Sequence, residues 1–185
     1  MKNKTIGVFV GSLRKGSFTR SVADYLVKVA PGNFEFKFLD IGNLPLYNQD
    51  LEEDAPEAWT KFRADVKTLD GFLFMTPEHN RSVPAALKNA LDVGSRPYGY
   101  SVWNGKPGAI VSVSPGALGG FGANHHLRQV LTFVNVPVMQ QPEAYVGNVM
   151  ASLDEKGDVV VSGLQDFLKQ YMDAFVQWIN RLSAD

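Results

Sequence analysis

Two segments of this chain carry residue types from which a binding site can be made. The first is Gly11-Ser-Leu-Arg-Lys-Gly-Ser-Phe-Thr19. It joins a continuous apolar run, Thr5 to Val10, to a stretch in which Val22, Tyr25, Leu26 and Val29 recur at helical spacing. A strand, a hydroxyl-bearing glycine loop and a helix start together make an anion site. The first turn of a helix has N–H groups without intrahelical acceptors and lies at the positive end of the helix dipole. Ser12, Ser17 and Thr19 add hydroxyl donors, and Arg14 adds a guanidinium that can pair with phosphate.

The loop excludes two common nucleotide motifs. Gly11 and Gly16 have the spacing of a Walker A loop, but Ser17-Phe18 stands where Lys-Ser/Thr would be. The lysine for a terminal phosphate and the hydroxyl for magnesium are therefore missing. The dinucleotide fingerprint G-x-G-x-x-G is absent too, and no acidic residue is clearly placed for a ribose diol. A phosphomonoester suits this loop better.

The second segment is Pro77-Glu-His-Asn-Arg-Ser-Val-Pro-Ala-Ala-Leu-Lys-Asn89. It follows a buried strand pattern, Gly71 to Met75, and leads into a helix with Pro84 in its first turn and Leu87, Ala90 and Leu91 on one face. The carboxyl end of a strand is where open α/β sheets bind ligands. A third loop of this kind, Ser112 to Gly122, contains Ser114 and four glycines, Gly116, Gly119, Gly120 and Gly122. Glycines let backbone approach a planar ligand closely.

The elements between these loops alternate. Phe34, Phe36 and Phe38 mark a second strand, Trp59, Phe62, Val66 and Leu69 a second helix, and Gly108 to Val113 a fourth strand. Leu127, Val130, Leu131 and Val134 mark the next helix, and Val136 to Met139 is expected to begin the fifth strand. The last helix carries an apolar stripe from Leu164 to Leu182, read as core. This order predicts an α/β fold, a doubly wound five-stranded parallel sheet in the order 2-1-3-4-5 with helices on both faces. The first, third and fourth strands are then neighbours, and their loops converge on one crevice.

Composition fits residues 1–185 as one domain. A chain of 185 residues with 45% hydrophobic content can bury one core and is short for two. A net charge of −1 gives no footprint for nucleic acid or an anionic membrane. No run approaches the about 18 apolar residues of a membrane span, and no signal peptide is expected ahead of the first strand. Zero cysteine excludes disulfides, thiol catalysis and cysteine-ligated metal, and fits a cytoplasmic protein.

With these loops in view, the chain resembles the NADPH-dependent FMN reductase family, and within it the chromate and quinone reductases. The resemblance rests on Gly11 to Thr19, Pro77 to Pro84 and Leu87-Lys-Asn-Ala-Leu-Asp92, and spans nearly the whole chain. It implies a flavodoxin-like fold, bound FMN, and reduction of quinones, azo dyes or chromate by NAD(P)H. It also implies a homodimer or a tetramer of dimers. The implied cofactor-binding set is Ser12, Arg14, Ser17, Phe18 and Thr19 on the first loop, Pro77, Glu78, His79, Asn80 and Arg81 on the second, and Ser114, Gly116, Gly119 and Gly120 on the third. Glu78, His79 and Asn80 would lie beside the isoalloxazine and contact it through backbone groups. His79 and Arg81 depart from the family, which more often has Tyr and a small or aromatic residue there. Thr19 replaces a frequent Asn and keeps a hydroxyl.

The flavin would carry the redox chemistry, so no catalytic side chain and no metal is assigned. The rival is a flavodoxin-type one-electron carrier, which the near-neutral charge disfavours because steering to a protein partner needs a charged face.

Other noticeable residues have simpler readings. His125 and His126 diverge by about 100° on a helix and read as a solvated or interface pair. Asp50, Glu52, Glu53 and Asp54 read as a solvated loop. Glu78 could also cap the next helix. Asp92 lies near a helix end where the dipole disfavours it, and calls for a tertiary partner or a subunit contact. Tyr98, Tyr100 and Trp103 fit either the flavin's open face or a subunit contact.

Overall fold

The computed structural model describes residues 3–183. Five strands form one parallel sheet: β1 (Lys4–Val10), β2 (Phe34–Phe38), β3 (Gly71–Thr76), β4 (Gly108–Val113) and β5 (Ala144–Val146). Their order is β2-β1-β3-β4-β5, the flavodoxin-like arrangement expected from the alternation of elements. Helices α1 (Phe18–Lys28), α2 (Glu57–Lys67), α3 (Ala85–Gly94), α4 (Phe121–Phe133) and α5 (Ser162–Leu182) follow the strands in turn.

Every residue of β3 and β4 is buried, as a parallel strand covered on both faces must be. Alternate side chains feed two cores. Ile6, Val8, Leu73, Met75 and Val111 pack against Val22 and Leu26 of α1 and Leu168, Met172 and Phe175 of α5. Phe9, Phe72, Phe74 and Ile110 pack against α2, α3 and α4 through Trp59, Phe62, Leu87, Leu91 and Leu127. The stripe of α5 is core, as its spacing predicts. Buried Tyr171 donates its hydroxyl to the Ile110 carbonyl at 2.7 Å. Burial pushes that phenol well above its ordinary pKa.

The fifth strand is displaced from its expected position. Val136 to Met139 only touches the sheet, through a bridge of Val138 to Gly108 and the bond from Met139 N to Gly108 O at 2.8 Å. Pro137 and Pro142 cannot donate to a ladder, so pairing with β4 resumes only at Ala144, opposite Val111.

Trp103 is also not where the aromatic loop suggested. It is fully buried, on neither an open flavin face nor a subunit surface. Its ring lies 5.3 Å from Phe9 and 5.1 Å from Phe72, and its Nε1 donates to Leu91 O at 3.0 Å. Gly94 makes room for it, since a Cβ there would lie 2.5 Å from the indole nitrogen. Tyr98 and Tyr100 are 88% and 77% exposed.

Glu52 of the acidic run and Asp92 have local partners, while Asp50, Glu53 and Asp54 are exposed. Glu52 accepts from the Tyr47 hydroxyl and from Arg96 Nε at 2.8 Å, and the Tyr47 bond is the main reason its pKa lies below the ordinary value. Asp92 takes Lys88 Nζ of its own helix at 2.8 Å on both oxygens. That i,i+4 pair supplies what the helix dipole does not.

Candidate functional site

The loops after β1, β3 and β4 meet in a cleft of about 600 Å³, within the usual size of small-molecule sites. The first loop brings its donors to the start of α1. Ser17 is the N-cap, and its Oγ accepts from Arg20 N at 3.3 Å. The N–H groups of Phe18 and Thr19 have no intrahelical acceptor. Ser17 and Thr19 are 4% and 2% exposed, while Ser12 is half-buried and Arg14 exposed. The Arg14 guanidinium lies 4.8 Å from the centroid of the Phe18 ring, so the two side chains share one rim of the cleft. Gly11 lets the first two loops touch, because a Cβ there would lie 3.2 Å from both Pro77 and Pro84.

The second loop is a tight turn. His79 and Ser82 exchange both backbone hydrogen bonds at 3.0 Å, with Asn80 at φ 51° and Arg81 at φ 65° between them. Two left-handed residues inside a reciprocal pair are the signature of a type I′ turn. Asn tolerates that region; Arg does so at a cost of about 1 to 2 kcal/mol. Glu78 braces the turn on one side, accepting from Arg81 Nη1 at 3.0 Å.

Glu78 also fastens the turn to α4. Its Oε2 accepts from Ala123 N at 3.1 Å in the first turn of that helix, and Ser82 Oγ sits 2.8 Å from His126 Nδ1. The helix that Glu78 caps is therefore α4, not α3, whose N-cap Pro84 has no side-chain bond. Gly122 is required at the seat, since a Cβ there would stand 2.9 Å from Glu78 Oε2 and 3.1 Å from Arg81 O. His125 turns away from His126 and pairs with the Tyr145 hydroxyl at 2.9 Å. Burial, the largest cause, pushes that hydroxyl up to about 12.

In the third loop Ser114 Oγ accepts from Gly116 N at 3.1 Å, closing a short turn. Gly119 and Gly120 follow at φ 58° and 75°. A Cβ on Gly119 would lie 2.6 Å from the Tyr145 carbonyl carbon, so the loop passes directly against the β5 backbone.

Of the expected residues, the cleft is lined by Ser12, Arg14, Ser17, Phe18, Thr19, Pro77, Glu78, His79 and Ser114. Asn80 and Arg81 form the turn tip, and Gly116, Gly119 and Gly120 shape the third loop without lining the cleft. Leu13, Pro84, Ala85, Ala86, Val113 and Pro115 also line it. The small residues of the first turn of α3 were the legible sign of that wall. Tyr98 and Tyr100 do not line it.

FMN passes a test of fit on these residues. A phosphomonoester needs donors and positive charge, which Ser12, Ser17, Thr19, Arg14 and the α1 start supply at one end. A planar ring needs apolar walls close together, which Pro77, Pro84, Val113 and Pro115 supply, with Gly11 removing the Cβ that would separate the loops.

Known proteins are similar to this chain in sequence and in fold. Residues 5–151 match the NADPH-dependent FMN reductase family. A quinone reductase of Pseudomonas putida is 53% identical over 176 residues, covering 95% of this chain and 94% of that protein. A 2-hydroxy-1,4-benzoquinone reductase from a Burkholderia species is 45% identical over 174 residues, covering 94% and 95%. The solved structure of a flavoenzyme NAD(P)H:(acceptor) oxidoreductase from Paracoccus denitrificans superposes with a TM-score of 0.90 at 42% identity, over 96% of this chain and 98% of that one. The chain belongs to the NADPH-dependent FMN reductase family, as an oxidoreductase that works with FMN and NAD(P)H.

Proposed function

We propose that this protein is a quinone reductase in which donor and acceptor use one cleft in turn. The observation that carries this reading is that the first cleft joins an anion-binding helix start at one end to apolar walls at the other, where nicotinamide and acceptor would meet the same ring in turn. Support also comes from relatives named for quinone reduction. In this reading Ser12, Arg14, Ser17 and Thr19 hold the FMN phosphate, with Phe18 beneath Arg14, and Pro77 to His79 and Ser114 flank the ring. Asn80, Arg81, Gly116, Gly119 and Gly120 act indirectly, by fixing the loops that do so.

Held by these residues, FMN would supply the redox chemistry, the two-electron transfer from NAD(P)H to the acceptor. The side chains bind, orient and exclude water. The braced turn at His79 to Ser82 offers rigid backbone rather than an acid or a base. Chromate, azo compounds and free flavin are further acceptors in this reading. Residues 1–185 act as one unit, working in the cytoplasm as a homodimer or homotetramer. Phe133, 90% exposed beside the groove between α3 and α4, favours such an assembly, which sedimentation would measure.

Kinetics and cofactor identity test this function. Heating the pure protein should release FMN, and varying NAD(P)H at several fixed quinone concentrations should give parallel double-reciprocal lines. Intersecting lines would mean that both substrates bind together; release of FAD, or no NAD(P)H oxidation with quinones, would remove the reading.

The phosphate end has its own test. Arg14→Ala should weaken FMN binding about tenfold to hundredfold, the worth of one charge-assisted hydrogen bond. Flavin titration of the apoprotein at moderate salt measures it, and an unchanged affinity would leave Arg14 as a solvated charge.

A further inference from the structure

A second cleft, of about 460 Å³, lies on the other side of the first loop. The two clefts share Ser12, Leu13 and Arg14 as their common wall. The second lacks Ser17 and Thr19, and so lacks the buried hydroxyls of the α1 start. It has cations instead: Arg14, Lys15 and Arg20, against one carboxylate, Asp40. Both Asp40 oxygens are engaged within their own turn, one accepting from Gly42 N at 2.9 Å and the other from Asn43 Nδ2 at 2.8 Å. Asp40 keeps its charge and Asp24 pairs with Arg20, so three cations stand against two carboxylates and the cleft keeps a net positive charge.

Arg20 is held in a fixed pose. Its guanidinium lies 3.8 Å from the Phe38 ring centroid, and its Nε pairs with Asp24 at 2.8 Å. Among the described residues its two Nη groups donate to nothing, and Lys15 Nζ has no partner either. A guanidinium stacked on one face and paired at one nitrogen is partly ordered before any ligand arrives. Its fork of Nη donors matches phosphate geometry, and its second face can stack on a base. Leu13, 60% exposed on the shared wall, and Ile41 offer apolar contact beside it.

We propose that this second cleft binds the adenosine end of the donor nucleotide, with Arg20 and Lys15 taking the 2′-phosphate that distinguishes NADPH from NADH. This assignment rests on the NAD(P)H-dependent reading of the first cleft. NADPH carries a phosphomonoester on its adenosine ribose that NADH lacks, and a guanidinium and an ammonium lining one cleft beside the first are what would read it. FMN's own phosphate has the better site across the wall, where hydroxyls and a helix start converge. The two phosphates thus use opposite sides of one loop.

Two measurements on the holoprotein test the assignment. The first is calorimetric titration with adenosine 2′,5′-bisphosphate, 5′-AMP and inorganic phosphate, which needs no turnover and stands even if quinones are not the acceptor. The bisphosphate should bind about tenfold to hundredfold tighter than 5′-AMP, the worth of a charge-assisted phosphate contact. That advantage should vanish in a Lys15→Gln/Arg20→Gln variant. The second is steady-state kinetics. The same variant should raise KM for NADPH by a similar factor, with KM for NADH, kcat and flavin content unchanged. Lys15→Gln alone, a change in an exposed loop, should lose part of the advantage and guards against a folding defect at Arg20. Equal affinity for the bisphosphate and 5′-AMP, binding of inorganic phosphate as tight as the bisphosphate, or equal losses with both donors would overturn the proposal.

Discussion

Trp103→Ala is expected to lower the free energy of unfolding by about 3 to 5 kcal/mol, the range for deleting a large buried aromatic side chain. The indole is fully buried and packs on Phe9, Phe62, Phe72 and Phe74, so its loss opens a cavity that β1 and β3 cannot close without leaving their register. Little of the cost is polar. The Leu91 carbonyl loses the indole donor but keeps Ser95 N at 3.0 Å. Urea unfolding measures the change, with Tyr98→Ala and Tyr100→Ala as exposed controls expected to stay within about 0.5 kcal/mol of wild type. Gly94→Ala supplies a further check. Alone it should destabilise, because its Cβ would meet the indole at 2.5 Å; combined with Trp103→Ala it should cost little, the non-additivity expected of two residues in contact. A loss under 1 kcal/mol for Trp103→Ala would contradict the packing described.

The second large effect joins stability to function. Gly119→Ala places a methyl group 2.6 Å from the Tyr145 carbonyl carbon and 2.8 Å from its oxygen, at a φ of 58°. Left-handed backbone costs an ordinary residue about 1 to 2 kcal/mol, and overpacking adds about 1 to 3 kcal/mol. The obstacle is backbone, so the third loop must move rather than a side chain. That loop carries Ser114 and Pro115 into the cleft, so the variant is expected to lose both about 2 to 5 kcal/mol of stability and much of its FMN affinity. Denaturant unfolding and flavin titration read the two separately. Gly116→Ala is the control: its φ is not positive, and the nearest atom to its Cβ would be Ser114 Oγ at 3.5 Å.

The sheet order and the meeting of three loops were legible because β1, β3 and β4 are continuous apolar runs and each of the three loops begins at the carboxyl end of one of them. The fifth strand was misplaced because Val136 to Met139 has the stronger apolar signal, whereas a three-residue edge strand has almost none. What decides between them is the missing N–H of Pro137 and Pro142, a ladder property rather than a hydrophobic one. Trp103 misled because a tryptophan among Gly, Ser and Asn looks like surface. Only the absent Cβ of Gly94, nine positions earlier, makes its pocket, and that is a tertiary fact. For the cleft, residue types pointed to Ser12, Arg14, Ser17 and Thr19 of the first loop, and all four line it. No local pattern could say that Glu78 reaches Ala123, or that Asn80 and Arg81 shape a turn without lining the site.

The three loops that line the first cleft come from residues 11–19, 77–86 and 113–115. No stretch of the unfolded chain contains more than one of them, so a ligand seated there recognises the native chain and ignores the denatured one. A cofactor at one hundred times its dissociation constant would then add about 2.7 kcal/mol to the resistance against unfolding. A ligand that touched all three loops would lose contacts whenever any one of them was released, so its binding would resist the opening of each. Starving such a protein of cofactor would therefore shorten its lifetime in the presence of proteases, with the first cuts expected at these loops, and abundance would follow cofactor supply as well as synthesis.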